Sequence, residues 1–291
     1  MQHLVDIDDL DISKIEKILE DAKSFKKKMP PKLLSDKLII TLFFEPSTRT
    51  RSSFEVAAKR LGASVVHLDP AKSSTKKGET LEDTFANLAA MGPDGVIVRH
   101  SKDETAKILA DMDLVPVINA GTGKSAHPTQ ALLDLFTIKE HFGDIEGKKI
   151  TIVGDIANSR VASSGIKLFQ KMGLDITLVA PKEFMPKTTL KNTPSLEEGI
   201  KEADIIMSLR AQLERHAKPI FEDYSEYAKH YCIKKRHLRD NLLIMHPGPV
   251  MRNIDISDEV LESKNSLVLE QVRNGVFIRM AILKYILLDS R

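Results

Sequence analysis

The chain has 291 residues, of which 42% are hydrophobic and 29% charged, with a formal net charge of +2. That length accommodates two ordinary domains, and the composition is that of a soluble globular protein. The near-balanced charge gives no electrostatic reason to expect nucleic acid as a partner. No apolar run approaches the ~18 residues of a membrane span, so no membrane partner is expected. Met1-Gln2-His3-Leu4-Val5-Asp6 has neither the basic start nor the apolar core of a secretory signal. Cys232, the only cysteine, excludes an intrachain disulfide and a cysteine-rich zinc site and fits a reducing, cytoplasmic setting. Neither a metal nor a cofactor is called for.

In chain order, Ile15, Ile18, Leu19 and Ala22 mark an amphipathic first helix that ends at Lys26-Lys27-Lys28, before Pro30-Pro31. Strands are predicted at 38–44, 64–68, 95–99 and 116–119, and helices at about 50–61, 80–91 and 103–112. A helix over 127–142 leads to a second series. Its strands fall at 149–154, 175–179, 204–208 and 242–245, with helices at about 160–172 and 195–202. Strand–helix alternation predicts an α/β fold of two similar domains, each a parallel sheet flanked by helices. The last helix, about 274–289, carries Val276, Phe277, Met280, Ala281, Leu283, Leu287 and Leu288, and that much apolar surface needs a partner. Two polar stretches, 71–79 and 213–235, read as mobile segments able to close over a ligand.

Chemistry concentrates where strands end. The run Leu38-Ile39-Ile40-Thr41-Leu42-Phe43-Phe44 passes through Glu45-Pro46 into Ser47-Thr48-Arg49-Thr50-Arg51, and Phe54, Ala57, Ala58 and Leu61 then recur at helical spacing until Gly62. Ser-Thr-Arg-Thr therefore sits at a helix N-terminus, where unpaired backbone N–H groups, hydroxyls and a guanidinium suit a phosphate. An ordinary serine cap with two solvated arginines is equally consistent with the turn alone. Arg99-His100 ends another strand, the usual ligand end of a parallel sheet; His100 is read as structural. In His127-Pro128-Thr129-Gln130 one helical turn brings His127 and Gln130 to one face. Gly121-Thr122-Gly123-Lys124-Ser125 looks like the end of a P-loop, but Ile118 stands where its first glycine belongs, so no nucleotide is expected.

Ser47-Thr48-Arg49-Thr50-Arg51, the basic stretch Ser73 to Thr80 and His127-Pro128-Thr129-Gln130 together resemble the signatures of the aspartate and ornithine carbamoyltransferases, over nearly the whole chain. The resemblance implies domains at 1–142 for carbamoyl phosphate and 143–273 for aspartate, with 274–291 packing back on the first. It implies that Ser47, Thr48, Arg49, Thr50, Ser73, Arg99, His127, Gln130, Gly248 and Pro249 take carbamoyl phosphate. Aspartate then falls to Lys77, Arg160, Arg210 and Gln212, and catalysis to Arg49, Thr50, Lys77, Arg99 and His127. Glu45 would bridge to Arg160 and Arg215 when the domains close. Ser73 and Lys77 would serve a neighbouring copy, which implies a homotrimer with shared active sites; regulatory chains or other pathway enzymes are possible further partners. Some members carry Leu where Gly248 stands, a main-chain contact that should alter flexibility more than chemistry.

The implied reaction transfers the carbamoyl group of carbamoyl phosphate to L-aspartate, in de novo pyrimidine biosynthesis. The alternatives are ornithine carbamoyltransfer and a non-catalytic homologue. The ornithine branch usually carries His-Cys-Leu-Pro and Ser-Met-Gly; here His246-Pro247-Gly248-Pro249 stands in the loop, and Ser-Met-Gly does not occur. Paired arginines also favour a dianionic acceptor.

Overall fold

The computed structural model describes residues 1–68, 79–213 and 220–289. Met1–Phe136 and the chain from Arg273 onward form one compact unit, and Thr137–Val272 a second.

The first unit opens with α1 (Ile12–Lys27) and continues β1 (Leu38–Phe43), α2 (Thr48–Arg60), β2 (Ser64–Leu68), α3 (Leu81–Ala90), β3 (Gly95–His100), α4 (Thr105–Asp111) and β4 (Val117–Thr122). The four strands are parallel, in the order β2-β1-β3-β4. Ile40, Leu42, Val96, Val98 and Val117 pack on Phe85 and Leu88 of α3 and on Ala106 and Leu109 of α4. The central strands are buried, as strands covered by helices must be, which is why they read as unbroken apolar runs. Helix α2 stops at Leu61, and Gly62 takes the left-handed φ of +90° that suits glycine.

α5 (Pro128–Phe142) carries the chain out of this unit, and the division between units falls inside it, after Phe136. The second unit contains β5 (Lys149–Val153), α6 (Arg160–Lys171), β6 (Asp175–Val179), β7 (Lys191–Thr193), α7 (Leu196–Ile200), β8 (Ile205–Ser208), α8 (Tyr224–Tyr231), β9 (Leu243–Met245) and α9 (Asp258–Leu261). Its sheet is also parallel, in the order β7-β6-β5-β8-β9.

The final helix, α10 (Val268–Leu287), begins a turn and a half earlier than its apolar pattern predicts. Leu269 and Val272 in that added stretch are 81% and 52% exposed, so they carry none of the burial periodicity that marks the rest. Part of the stretch expected to be a mobile loop is also ordered. α8 lies inside it, and Phe221, Tyr227 and Tyr231 pack ring on ring with Phe184. Among the described residues no helix is long and apolar enough to cross a membrane.

Candidate active site

Each strand order contains a topological switch, the place where an open parallel sheet forms a crevice at its carboxyl edge. In the first unit it lies between β1 and β3. The two are in register, Phe43 opposite Arg99, and the Phe44 N–H donates to the Arg99 carbonyl at 2.9 Å. Ser47, Thr48, Arg49 and Thr50 follow β1, Arg99 is the penultimate residue of β3, and His127 and Gln130 follow β4, so the sheet's carboxyl edge collects them.

Ser47 occupies the N-cap of α2, yet its hydroxyl makes no capping hydrogen bond, at φ −157° and ψ 83°. Thr50 is buried in the first turn. Desolvation of the Arg49 guanidinium lowers its pKa from the ordinary arginine value, although the residue as a whole remains exposed. Arg51 turns the other way: its Nη1 donates to His67 Nε2 at 2.8 Å, and His67 Nδ1 meets Thr41 Oγ1 at 2.9 Å. Arginine only donates, so His67 is neutral here with its proton on Nδ1. Arg99 donates to the Ala120 carbonyl at 3.2 Å and lies 3.7 Å from Glu45.

His127 is buried immediately before α5, and its carbonyl accepts from the Gln130 and Ala131 N–H groups. The Gln130 amide nitrogen donates to Asp134 Oδ1 at 3.0 Å, one helical turn on. That bond leaves the Gln130 carbonyl oxygen as the end available to a new donor. His100 is bound up locally: its Nδ1 accepts from the Lys102 N–H at 2.9 Å and its ring meets Phe44 edge-on. Burial, then Lys102, lowers its pKa, against a smaller pull from Glu45.

The glycine-rich turn after β4 is filled from within. Lys124 and Ser125 donate their backbone N–H groups to Asp103 Oδ1 at 2.6 and 3.0 Å, and a Cβ on Gly123 would meet that oxygen at 1.9 Å. A carboxylate of the chain itself occupies the place that a nucleotide phosphate would need.

In the second unit the switch lies between β5 and β8, joined beyond their ends by the Leu209 N–H donating to the Val153 carbonyl at 2.7 Å. Arg160 begins α6 after β5, and Arg210 and Gln212 follow β8. Both arginines are half-buried, and the Gln212 amide donates to the Asn158 carbonyl at 3.3 Å. Ser159 caps α6 through the Ala162 N–H at 3.2 Å.

Gly248 and Pro249 follow β9 on a loop held by a buried dyad. The Gly248 N–H donates to His246 Nδ1 at 2.8 Å, so His246 carries its proton on Nε2 and donates it to Asp255 Oδ2 at 3.2 Å. The same carboxylate takes the N–H groups of Met251 at 2.8 Å and Ala211 at 3.3 Å. Asp255 thus ties the Gly248 loop to the Arg210 loop. No periodicity or motif in the sequence distinguishes it from a solvated surface carboxylate. Gly248 sits at φ +70°, a conformation that glycine enters freely.

Ser73, Lys77 and Arg215 lie outside the described residues. Among those described, no group of three or more His, Cys, Asp or Glu side chains is arranged to hold a metal ion.

Two family models account for the chain. The carbamoyl-phosphate-binding domain of the aspartate/ornithine carbamoyltransferases matches residues 2–140, and their aspartate/ornithine-binding domain matches residues 146–286. The chain belongs to the aspartate/ornithine carbamoyltransferase family. Among its relatives, the aspartate carbamoyltransferase catalytic subunit of Sulfurovum sp. (strain NBC37-1) is 67% identical over 292 residues, covering 100% of this chain and 99% of that one. Among solved structures, the catalytic subunit of M. jannaschii aspartate transcarbamoylase is 34% identical, with TM-score 0.90 over 100% of this chain and 99% of that one. The Trypanosoma cruzi aspartate transcarbamoylase in complex with N-(phosphonacetyl)-L-aspartic acid is 30% identical, with TM-score 0.90 over 98% of this chain and 96% of that one. The two-sheet α/β architecture is the one that this carbamoyltransferase family shares.

Proposed function

We propose that the chain transfers the carbamoyl group of carbamoyl phosphate to the amine of L-aspartate, giving N-carbamoyl-L-aspartate and phosphate, as a step of de novo pyrimidine synthesis. The observation that carries this reading is the pair Arg160 and Arg210, one at the start of α6 and one on the loop after β8, which flank the switch point of the second sheet. An acceptor with two carboxylates needs two cations, and guanidinium is the strong partner for each. A cationic acceptor such as ornithine would be repelled there.

On this reading the first unit holds the donor. The start of α2 takes the phosphate through Ser47, Thr48, Arg49 and Thr50, with Arg99 beside it. Thr50, Arg99 and His127 point hydrogen-bond donors at the carbamoyl oxygen, and Gln130 accepts from the carbamoyl NH2 through the carbonyl that Asp134 leaves available. The loop at Gly248 and Pro249 presents main-chain carbonyls to an amino group.

The neutral amine of aspartate attacks the carbonyl carbon; its new C–N bond forms, the bond to phosphate oxygen breaks, and the proton lost from the amine leaves on the phosphate. Negative charge grows first on the carbonyl oxygen and then on the leaving phosphate. Fixed donors aimed at such charge contribute ~3 kcal/mol each, and orientation of two bound reactants up to ~7–11 kcal/mol. Ser73 and Lys77 act in the site of a neighbouring copy, and a homotrimer is the working assembly.

The test is to assay the purified protein with carbamoyl phosphate and either L-aspartate or L-ornithine. Carbamoyl aspartate is expected; turnover of ornithine alone would overturn the assignment.

A further inference from the structure

Behind the donor half of the site lies a charge that the reaction does not use. Arg279, on α10, is 3% exposed, and Asp134, on α5, is 1% exposed. The Arg279 guanidinium donates from Nη1 to Ser53 Oγ of α2 at 2.9 Å and to the Gly275 carbonyl at 3.1 Å, and stacks over the Phe54 ring 5.1 Å from its centroid. Burial pushes its pKa down to about 10, while the Asp134 carboxylate pulls it upward. The space for this head group is made by a glycine: a Cβ on Gly275 would meet Arg279 Nη1 at 2.6 Å and Leu133 at 3.2 Å. α10 therefore places a desolvated cation among α10, α2 and α5.

Two features argue that this cation does more than fill volume. First, apolar residues of similar size generally stabilise a core at least as well as a buried ion pair. Second, Asp134 also accepts from the Gln130 amide, and the carboxylate can only accept. That one bond decides which end of the amide faces away from Asp134. A neutral partner able both to donate and to accept would leave the amide free to turn over.

We propose that Arg279 and Asp134 are positioning residues for the carbamoyl donor: Asp134 fixes the Gln130 carbonyl oxygen outward, and Arg279, buried beside α5, registers α2 through Ser53. The proposal rests on the reading of Gln130 as a carbamoyl contact.

A double-mutant cycle tests it, measured as KM for carbamoyl phosphate, KM for aspartate and melting temperature. Asp134→Asn is expected to raise KM for carbamoyl phosphate about tenfold, leaving that for aspartate within about twofold. In a Gln130→Ala background the same substitution is expected to add nothing, because its effect runs through Gln130. Asp134→Asn alone leaves a buried cation uncompensated and lowers the melting temperature. The pair Asp134→Asn with Arg279→Met removes both charges; the melting temperature should return while KM for carbamoyl phosphate stays raised. Full multiplication of the Gln130→Ala and Asp134→Asn effects, or recovery of KM together with melting in the charge-free pair, overturns the positioning role and leaves the site reading intact. An unchanged KM for carbamoyl phosphate in Gln130→Ala itself overturns both.

Discussion

The two units begin their key helices with the same residue and use it differently. Ser47 stands at the N-cap of α2 with ψ 83° and its hydroxyl makes no cap, whereas Ser159 stands at the N-cap of α6 with ψ 108° and accepts from Ala162. On the proposed reading, the start of the helix in the first unit is itself the anion site, with the hydroxyls of Ser47, Thr48 and Thr50 added to the backbone donors. In the second the helix satisfies itself, and on that reading recognition passes to the guanidiniums of Arg160, at the start of α6, and of Arg210, whose loop is tied to the Asn158 carbonyl by Gln212. A phosphate, small and symmetric, can be held by a helix end. Two carboxylates separated by a carbon chain need cations spaced by a rigid scaffold.

The largest effect that sharpens this contrast is expected at Arg210. Arg210→Ala removes charge-assisted bonds worth ~1.5–3 kcal/mol and should raise KM for aspartate about a hundredfold. KM for carbamoyl phosphate should hardly move, and parallel loss of both would blur the division. A smaller effect separates the two serines. Ser159→Ala should lower stability by about 1 kcal/mol, the usual value of an N-cap, without changing KM for carbamoyl phosphate. Ser47→Ala should do the reverse, raising that KM severalfold with an unchanged melt; a destabilised Ser47→Ala would make α2 an ordinary capped helix.

The smallest effect is on pH. Burial lowers the pKa of His100 in the first unit and of His237 in the second, the latter against the opposing hydrogen bond that His237 donates to Glu197. Both therefore bind protons less readily folded than unfolded, so as pH falls below the unfolded value of ~6.5 the unfolded chain binds protons first. Their stabilisation is complete above that pH and is lost below it. The melting temperature should therefore be lower at pH 5.5 than at 7.5, and His237→Gln should narrow the gap. An unchanged gap in that variant would remove His237 from the account.

What the sequence revealed follows from what burial does to a pattern. The central strands β1, β3, β5 and β8 are apolar because helices cover them, and β2 and β6 were readable to the residue. β7 was not, because Lys191-Asn192-Thr193 is a short polar strand at a sheet edge. α8 was hidden because its turn of tyrosines, lysine and histidine has little aliphatic periodicity and packs by rings instead. The arginines and His127 stood out because they lie in motifs at strand ends. Asp134, Asp255 and Asp103 did not, since a carboxylate that will be buried among donors looks in sequence like one that will be solvated. Only the topology shows which donors meet it.

The central claim is that the phosphate group of the donor is held by the first unit, and not by the arginines of the second. Isothermal titration with inorganic phosphate, run on Arg49→Ala and on Arg210→Ala, tests it most directly. Binding should vanish in Arg49→Ala and persist near the wild-type affinity in Arg210→Ala. Retention in the first variant, or equal loss in both, would contradict the account.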